Sequence, residues 1–148
     1  MTFLLAEIGS TPYKVMLLLH VLAVVIAFSP AWLTPLVLRA AGHDRAGAEA
    51  LEVAVLRLSL PFVALAGIFG FGLAGMSDKV FKMSQTWLSI AIVLWLVQLA
   101  VLFFVARPAF KAVAAGDAAA RGRVMAATGI THLILLVMLY LMIWKPGL

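Results

Sequence analysis

The sequence predicts an all-α integral membrane protein, a four-helix bundle with up-down-up-down topology. Two thirds of its 148 residues are apolar (66%), only 11% are charged, and the mean hydropathy is +1.16. A soluble domain is about half apolar and about a quarter charged, and at this size it could not bury so much apolar surface. Because the excess needs an apolar solvent, the composition indicates lipid.

Four runs of the chain contain no charged residue. They lie at residues 15–38, 58–77, 83–106 and 124–144. A hydrocarbon core of about 30 Å needs about 20 helical residues, and every run is at least that long. We therefore expect one transmembrane domain over residues 1–148, with spans at about 14–39, 57–77, 83–107 and 124–144.

Basic residues are distributed unequally between the two sides of this arrangement. Seven lie in the loops that join the first span to the second and the third to the fourth: Arg39, Arg45, Arg57, Arg107, Lys111, Arg121 and Arg123. The opposite side carries four lysines. The positive-inside rule puts the seven in the cytoplasm and both termini outside it. We interpret the net charge of +5 as a topology signal that also meets anionic headgroups of the bilayer, and we expect no nucleic-acid partner.

Both cytoplasmic loops are rich in alanine and are predicted to be helical. Residues 46–56 place Leu51 and Val55 four apart, so the second helix is expected to begin well before its span. A weak repeat relates residues 38–44 to residues 111–117 and indicates two helical hairpins in parallel orientation. Chance similarity between short alanine-rich segments remains the alternative.

His20 and His132 are the candidates for ligand or haem binding inside the spans. Imidazole is a usual ligand for haem iron and copper, so haem b or copper is the alternative cofactor, with His20 the best metal candidate. The two rings lie at unequal depths, roughly 9 Å from Lys14 and roughly 20 Å from Lys145, which disfavours one haem held by both. The other interpretation is that each ring donates to a backbone carbonyl or to a hydroxyl such as that of Thr128.

Gln98 is the third candidate ligand, although an amide at mid-span also seeks a partner on another helix. No acidic residue lies in the four runs and the chain has no cysteine, which excludes iron–sulfur clusters and thiolate zinc sites. The motifs of nucleotide-binding loops, serine hydrolases and zinc proteases are also absent. No catalytic residue is predicted, so we favour a non-enzymatic protein.

Small residues recur in the second span, at Ala66, Gly67, Gly70, Ala74 and Gly75. Such residues let another helix approach closely. The partner is either another helix of the same chain or a neighbouring molecule. The leading hypothesis is a structural, accessory or oligomerising membrane subunit, as a homo-oligomer or in a larger membrane complex, and a small-solute transporter is the third hypothesis.

Two further features concern the ends and the interior of the spans. Pro30 removes a helical N–H donor from the first span, and the hydroxyl of Ser29 can satisfy the carbonyl left free. Tyr13, Trp87 and Trp144 lie near the outer ends of spans, where amphipathic rings prefer the membrane interface.

Short segments carry resemblances to known families. Residues 13–23, the Phe28-Ser29-Pro30 step and residues 144–147 resemble a bacterial family of integral membrane proteins known only as a domain of unknown function. That resemblance implies a four-helix protein of the bacterial inner (plasma) membrane and no specific activity. The Leu-His-Val-Leu-Ala stretch at residues 19–23 also resembles the copper-resistance D family and the membrane protoporphyrinogen oxidase, which implies His20 as a metal or haem ligand. The later histidine and arginine pattern of the oxidase is not evident.

Overall fold

The computed structural model describes residues 8–40 and 45–147, and four long helices account for most of them. α1 is Thr11–Ala40, α2 is Arg45–Gly75, α3 is Thr86–Ala114 and α4 is Ala120–Trp144. Each helix is long and apolar enough to cross a bilayer, and no strand occurs in the described ranges. The prediction of an all-α bundle with four candidate membrane spans is confirmed.

The helices pack as a closed ring in chain order. α1 packs along α2, α2 against α3, α3 against α4, and α4 returns to α1, whereas the diagonal pairs contact one another much less. Sequential neighbours run in opposite directions, so the bundle is up-down-up-down as expected. This topology gathers the end of α1, the start of α2, the end of α3 and the start of α4 at one end of the molecule.

Both alanine-rich loops contain helical segments, as predicted. α2 begins at Arg45, twelve residues before the expected span, and α3 continues through Arg107–Ala114 beyond its span. Leu51 and Val55 are each 4% exposed, so they form the buried face that the spacing predicts. The first copy of the weak repeat includes residues 41–44, which lie outside the described residues.

α2 and α3 each contain one π-helical segment, at Val55–Ser59 and Val101–Ala106. A proline follows closely in both helices, Pro61 in α2 and Pro108 in α3. In a regular α-helix a proline ring collides with the carbonyl four residues earlier, and a π turn widens the helix just before that point. α1 passes Pro30 and Pro35 without a π turn, so the π turns do not follow the proposed hairpin repeat.

A side-chain hydroxyl replaces the hydrogen bond that Pro30 removes from α1, as the sequence predicts. The Ser29 hydroxyl donates to the Ile26 carbonyl oxygen at 2.8 Å. Ile26 is the residue whose carbonyl would have accepted from residue 30, where proline has no N–H. α1 therefore stays helical through the break.

The apolar core has two parts. The larger one draws on all four helices and includes Phe28, Val63, Val101 and Val124. The smaller one lies at the opposite end of the bundle and includes Trp87, which is 3% exposed and packs with Ala74 and Leu141. The Trp87 ring therefore lies inside the bundle, and its position at the depth of the membrane interface stays a prediction.

Candidate functional site

Two polar rings converge on the backbone of α2 in the middle of the bundle. His20, from α1, donates its Nδ1–H to the Ala66 carbonyl oxygen at 2.8 Å. Trp95, from α3, donates its Nε1–H to the Val63 carbonyl oxygen at 2.7 Å. α2 is thus held on both sides by a side chain that reaches its main chain, and we call His20, Trp95 and these two carbonyls the ring-to-backbone cluster.

Glycine at position 67 makes the Trp95 contact possible, and glycine at position 70 leaves free space beside the His20 contact. In an α-helix the carbonyl of residue i points towards residue i+4, and the residues four beyond Val63 and Ala66 are Gly67 and Gly70. A Cβ at Gly67 would overlap the Trp95 ring, and one at Gly70 would lie 3.4 Å from the His20 ring. The small residues of α2 therefore expose its carbonyls to rings of the same chain.

The cluster fixes the tautomer of His20. A carbonyl oxygen only accepts hydrogen bonds, so the proton of a neutral His20 ring is on Nδ1 and the lone pair is on Nε2. The Trp95 ring is held further by Phe71, which meets it edge-on with ring centroids 5.8 Å apart. The arrangement positions two rings on backbone carbonyls, and no hydrogen bond from either ring to a titratable side chain occurs among the described residues.

The remaining small residues of α2 have different surroundings. Gly72 faces the Met16 side chain of α1, Ala74 is buried in the smaller core, and Gly75 has open space around it. Gly75 is thus the one predicted packing glycine of α2 that no described residue approaches.

Gln98 finds a polar partner on another helix. It is 1% exposed, and its Nε2 donates to Thr131 Oγ1 of α4 at 3.1 Å. Its Oε1 is buried without a hydrogen-bond partner among the described residues. The amide therefore crosslinks α3 to α4 while leaving one acceptor unsatisfied.

His132 lies beside Gln98's partner Thr131 on α4, at a distance from His20. Its ring contacts Trp32 of α1, with centroids 4.4 Å apart and planes tilted by 48°, and its buried Nε2 has no partner in the described part of the chain. The Thr128 hydroxyl donates instead to the Val124 carbonyl. Trp32 is twelve residues beyond His20, about 18 Å along α1, so the two histidines are not brought together.

No group of three or more His, Cys, Asp or Glu side chains that could hold a metal ion occurs within residues 8–40 and 45–147. Polar side chains are nevertheless buried in the bundle, Gln98 and Thr131 among them. Small-solute transport stays a hypothesis.

The arginines gather at one end of the bundle, its arginine-rich end, because the helix topology places them there, and ion pairs contribute little to this arrangement. Arg121 Nη2 donates to the Leu38 carbonyl at the end of α1, at 3.3 Å. Arg123 pairs with Asp117 at 3.2 Å, both largely exposed, and this is the one ion pair in the described ranges. Arg39 is exposed in the last turn of α1, where a cation also suits the helix dipole.

Comparison with known proteins returned no match, neither to a family model nor to a curated protein nor to a solved structure. The resemblances of residues 13–23 and 144–147 therefore stay predictions.

Sequence reasoning missed Trp95 and Trp32, the two aromatic partners of the histidines. A signal was present for Trp95. It lies far from both ends of its span, and an indole N–H buried in an apolar medium needs an acceptor. Nothing local in the sequence indicated that the acceptor would be the backbone beside Gly67.

Proposed function

We propose that this protein is a non-enzymatic accessory membrane subunit. It associates laterally, through the outer face of α4, with a second copy or with a larger membrane complex. One observation carries the proposal. Gly122, Ala126 and Gly129 are all exposed, and a Cβ added at either glycine would meet nothing within 4 Å. Ala126 and Gly129 lie within the fourth span, where small residues spaced three or four apart on an outward face are typical of helix association in membranes, and Gly122 extends this face to the arginine-rich end.

The position of this surface argues for a partner outside the chain. Residues 122, 126, 129 and 133 share one face of α4 at 100° per residue, and that face is opposite Val124 and Thr131, which are buried in the bundle. Gly67, Gly70 and Gly72 of α2, by contrast, face Trp95, His20 and Met16 of the same chain, and Gly75, the last residue of α2, is open. The association surface that we propose is therefore on α4 and not on α2.

The polar groups of the interior support a non-enzymatic function. The His20, Trp95, Ser29 and Thr128 donors are used on backbone carbonyls. Gln98 bonds to another helix. General acid–base or nucleophilic catalysis needs a titratable pair or an activated nucleophile within hydrogen-bond reach, and no such pair occurs in the described interior.

The oligomeric mass of the purified protein in nanodiscs tests this proposal. We expect a dimer or a co-purifying partner for the wild type and a shift towards monomer in Ala126→Leu. Ala100→Leu is the matched control, because Ala100 is also exposed but lies on α3. A wild type that is strictly monomeric and without a partner, or a mass unaffected by Ala126→Leu, contradicts the proposal.

The sidedness that we propose follows from charge. The arginine-rich end faces the cytoplasm of a bacterial cell and both termini face out, because the positive-inside rule counts basic residues in short loops. Both arginine-rich loops are short and their basic residues lie close to the ends of the spans, so the rule applies here.

A second candidate function, haem or copper binding through His20, is favoured by the tautomer of that ring. Metal-binding histidines generally donate their other ring N–H to a carbonyl or carboxylate, as His20 does to Ala66. His132 is too distant to supply a second ligand. A Soret band or bound copper that is lost in His20→Ala supports this function, and colourless, metal-free protein from metal- and haem-supplemented cells rejects it.

A further inference from the structure

A groove runs along the outside of the bundle between α1 and α4. Its α1 wall lies within residues 24–33, its α4 wall is formed by Leu135 and Leu139, and its volume is about 440 Å³. The one hydroxyl of its lining, that of Ser29, already donates within α1. The lining therefore suits an apolar occupant.

The length of the groove matches that of a lipid tail. From residue 24 to residue 33 the α1 wall is about 14 Å long, close to half of a hydrocarbon core of about 30 Å. An acyl chain of one leaflet spans that half of the core.

The groove leads towards two arginines. Arg39 is seven residues beyond Trp32, within about 20° of the same face of α1 and about 10 Å further along it. Arg121 is five full turns before Leu139, on the same face of α4, and its bond to the Leu38 carbonyl at 3.3 Å places its guanidinium beside the end of α1. The line of the groove therefore leads towards a pair of cations at the arginine-rich end, about 10 Å beyond its α1 wall.

These arginines retain donors for an anion. A guanidinium has five N–H donors, and one of those of Arg121 is used on Leu38. Within the described ranges the ion pair is formed by Arg123 and Asp117, so no described carboxylate neutralises Arg39 or Arg121. Guanidinium groups bind phosphate in a bidentate way.

We propose that the groove binds one anionic phospholipid, with an acyl chain between α1 and α4 and its phosphate at Arg39 and Arg121. The chemistry of the site decides the class of ligand: the apolar walls take the tail and the cationic end takes the headgroup. This site lies about 100° around α4 from the face proposed for lateral association, so the two proposals stand on different residues.

The test compares lipids by their effect on the thermal unfolding of delipidated protein in detergent. Phosphatidylglycerol and phosphatidylcholine with the same acyl chains are titrated separately. We expect phosphatidylglycerol to raise the Tm at lower concentration than phosphatidylcholine. Arg39→Gln should raise the phosphatidylglycerol concentration at half-saturation roughly fivefold. Lys82→Gln, at the opposite end of the bundle, should leave that concentration unchanged.

A second pair of variants tests the groove itself. Val25 is 62% exposed at the rim of the groove and Val93 is 58% exposed on α3, so both accept a tryptophan without disturbing the core. Val25→Trp should abolish the lipid-dependent rise in Tm, and Val93→Trp should preserve it. The anionic headgroup site is overturned if the two lipids raise the Tm equally. It is also overturned if Arg39→Gln and Lys82→Gln change the half-saturating phosphatidylglycerol concentration equally. Unchanged lipid dependence in Val25→Trp overturns the groove as the site of the tail.

Discussion

The contact between Gly67 and Trp95 gives the sharpest prediction about the bundle. In Gly67→Ala the new methyl group would overlap the Trp95 ring, which is held in place by its hydrogen bond to Val63 and by Phe71. The ring must leave or the helices must separate. Loss of an interhelical hydrogen bond costs about 0.6–2 kcal/mol in a membrane protein, and loss of an edge-on aromatic pair costs about 0.5–1.5 kcal/mol.

The matched controls are glycines of the same helix. Gly75→Ala meets nothing within 4 Å, and Gly70→Ala places its methyl group 3.4 Å from the His20 ring, an ordinary contact. Since all three variants replace glycine by alanine in α2, much of the gain in helix propensity, up to about 1 kcal/mol, is shared among them. We therefore expect Gly67→Ala to be about 1–3 kcal/mol less stable than Gly75→Ala, with Gly70→Ala close to Gly75→Ala.

The assay is reversible unfolding in mixed detergent micelles, followed by circular dichroism. A double-mutant cycle with Trp95→Ala isolates the contact, because the cost of Gly67→Ala should disappear once the indole ring is absent. Equal stability of Gly67→Ala and Gly75→Ala would refute the packing argument. So would a cost of Gly67→Ala that persists in the Trp95→Ala background.

Three further predictions follow from the polar groups and the charges. Gln98→Leu should keep the free energy of unfolding in micelles within about 1 kcal/mol of the wild-type value or raise it. The reason is that it removes a buried acceptor that has no partner among the described residues. A loss above about 3 kcal/mol would mean that Gln98 contributes more than its bond to Thr131. Ser29→Ala should cost about 1–2 kcal/mol in the same assay, since it removes the hydroxyl donor from the Ile26 carbonyl, which cannot accept from Pro30. A neutral effect would contradict that role. The chain has no cysteine, so single cysteines report the orientation. Impermeant thiol reagents applied to intact cells should label Lys79→Cys, and should label Arg45→Cys only after permeabilisation. The reverse pattern would mean that the orientation is opposite to the one proposed.

The helices were predictable because their determinants are local. Charge-free runs of at least about 20 residues are needed to cross a hydrocarbon core, and the structure has a long helix over each run. The extension of α2 back to Arg45 followed from the spacing of Leu51 and Val55. At the start of α3 the expectation was three residues early, because Gln85 uses its side chain on the backbone of Lys82 and Val80 and the helix begins at Thr86.

The surroundings of the candidate ligands depended on contacts between distant parts of the chain. His20 and Ala66 are 46 residues apart, and Trp95 and Val63 are 32 apart, so no local pattern joins them. The glycines of α2 suited either an internal or an external partner, and only the packed bundle shows which rings occupy them. The π turns were not predicted either, although each is closely followed by a proline, Pro61 or Pro108.

Cysteine cross-linking in native membranes tests the proposed lateral association most directly. The cysteine-free chain allows single cysteines to be introduced at Ala126, on the outer face of α4, and at Ala100, on the exposed side of α3. We predict a disulfide-linked dimer, or a cross-linked adduct with a partner when a short bifunctional reagent is used, for Ala126→Cys and not for Ala100→Cys. Absence of any cross-linked species at Ala126→Cys, or equal cross-linking at both positions, would contradict an association surface on α4.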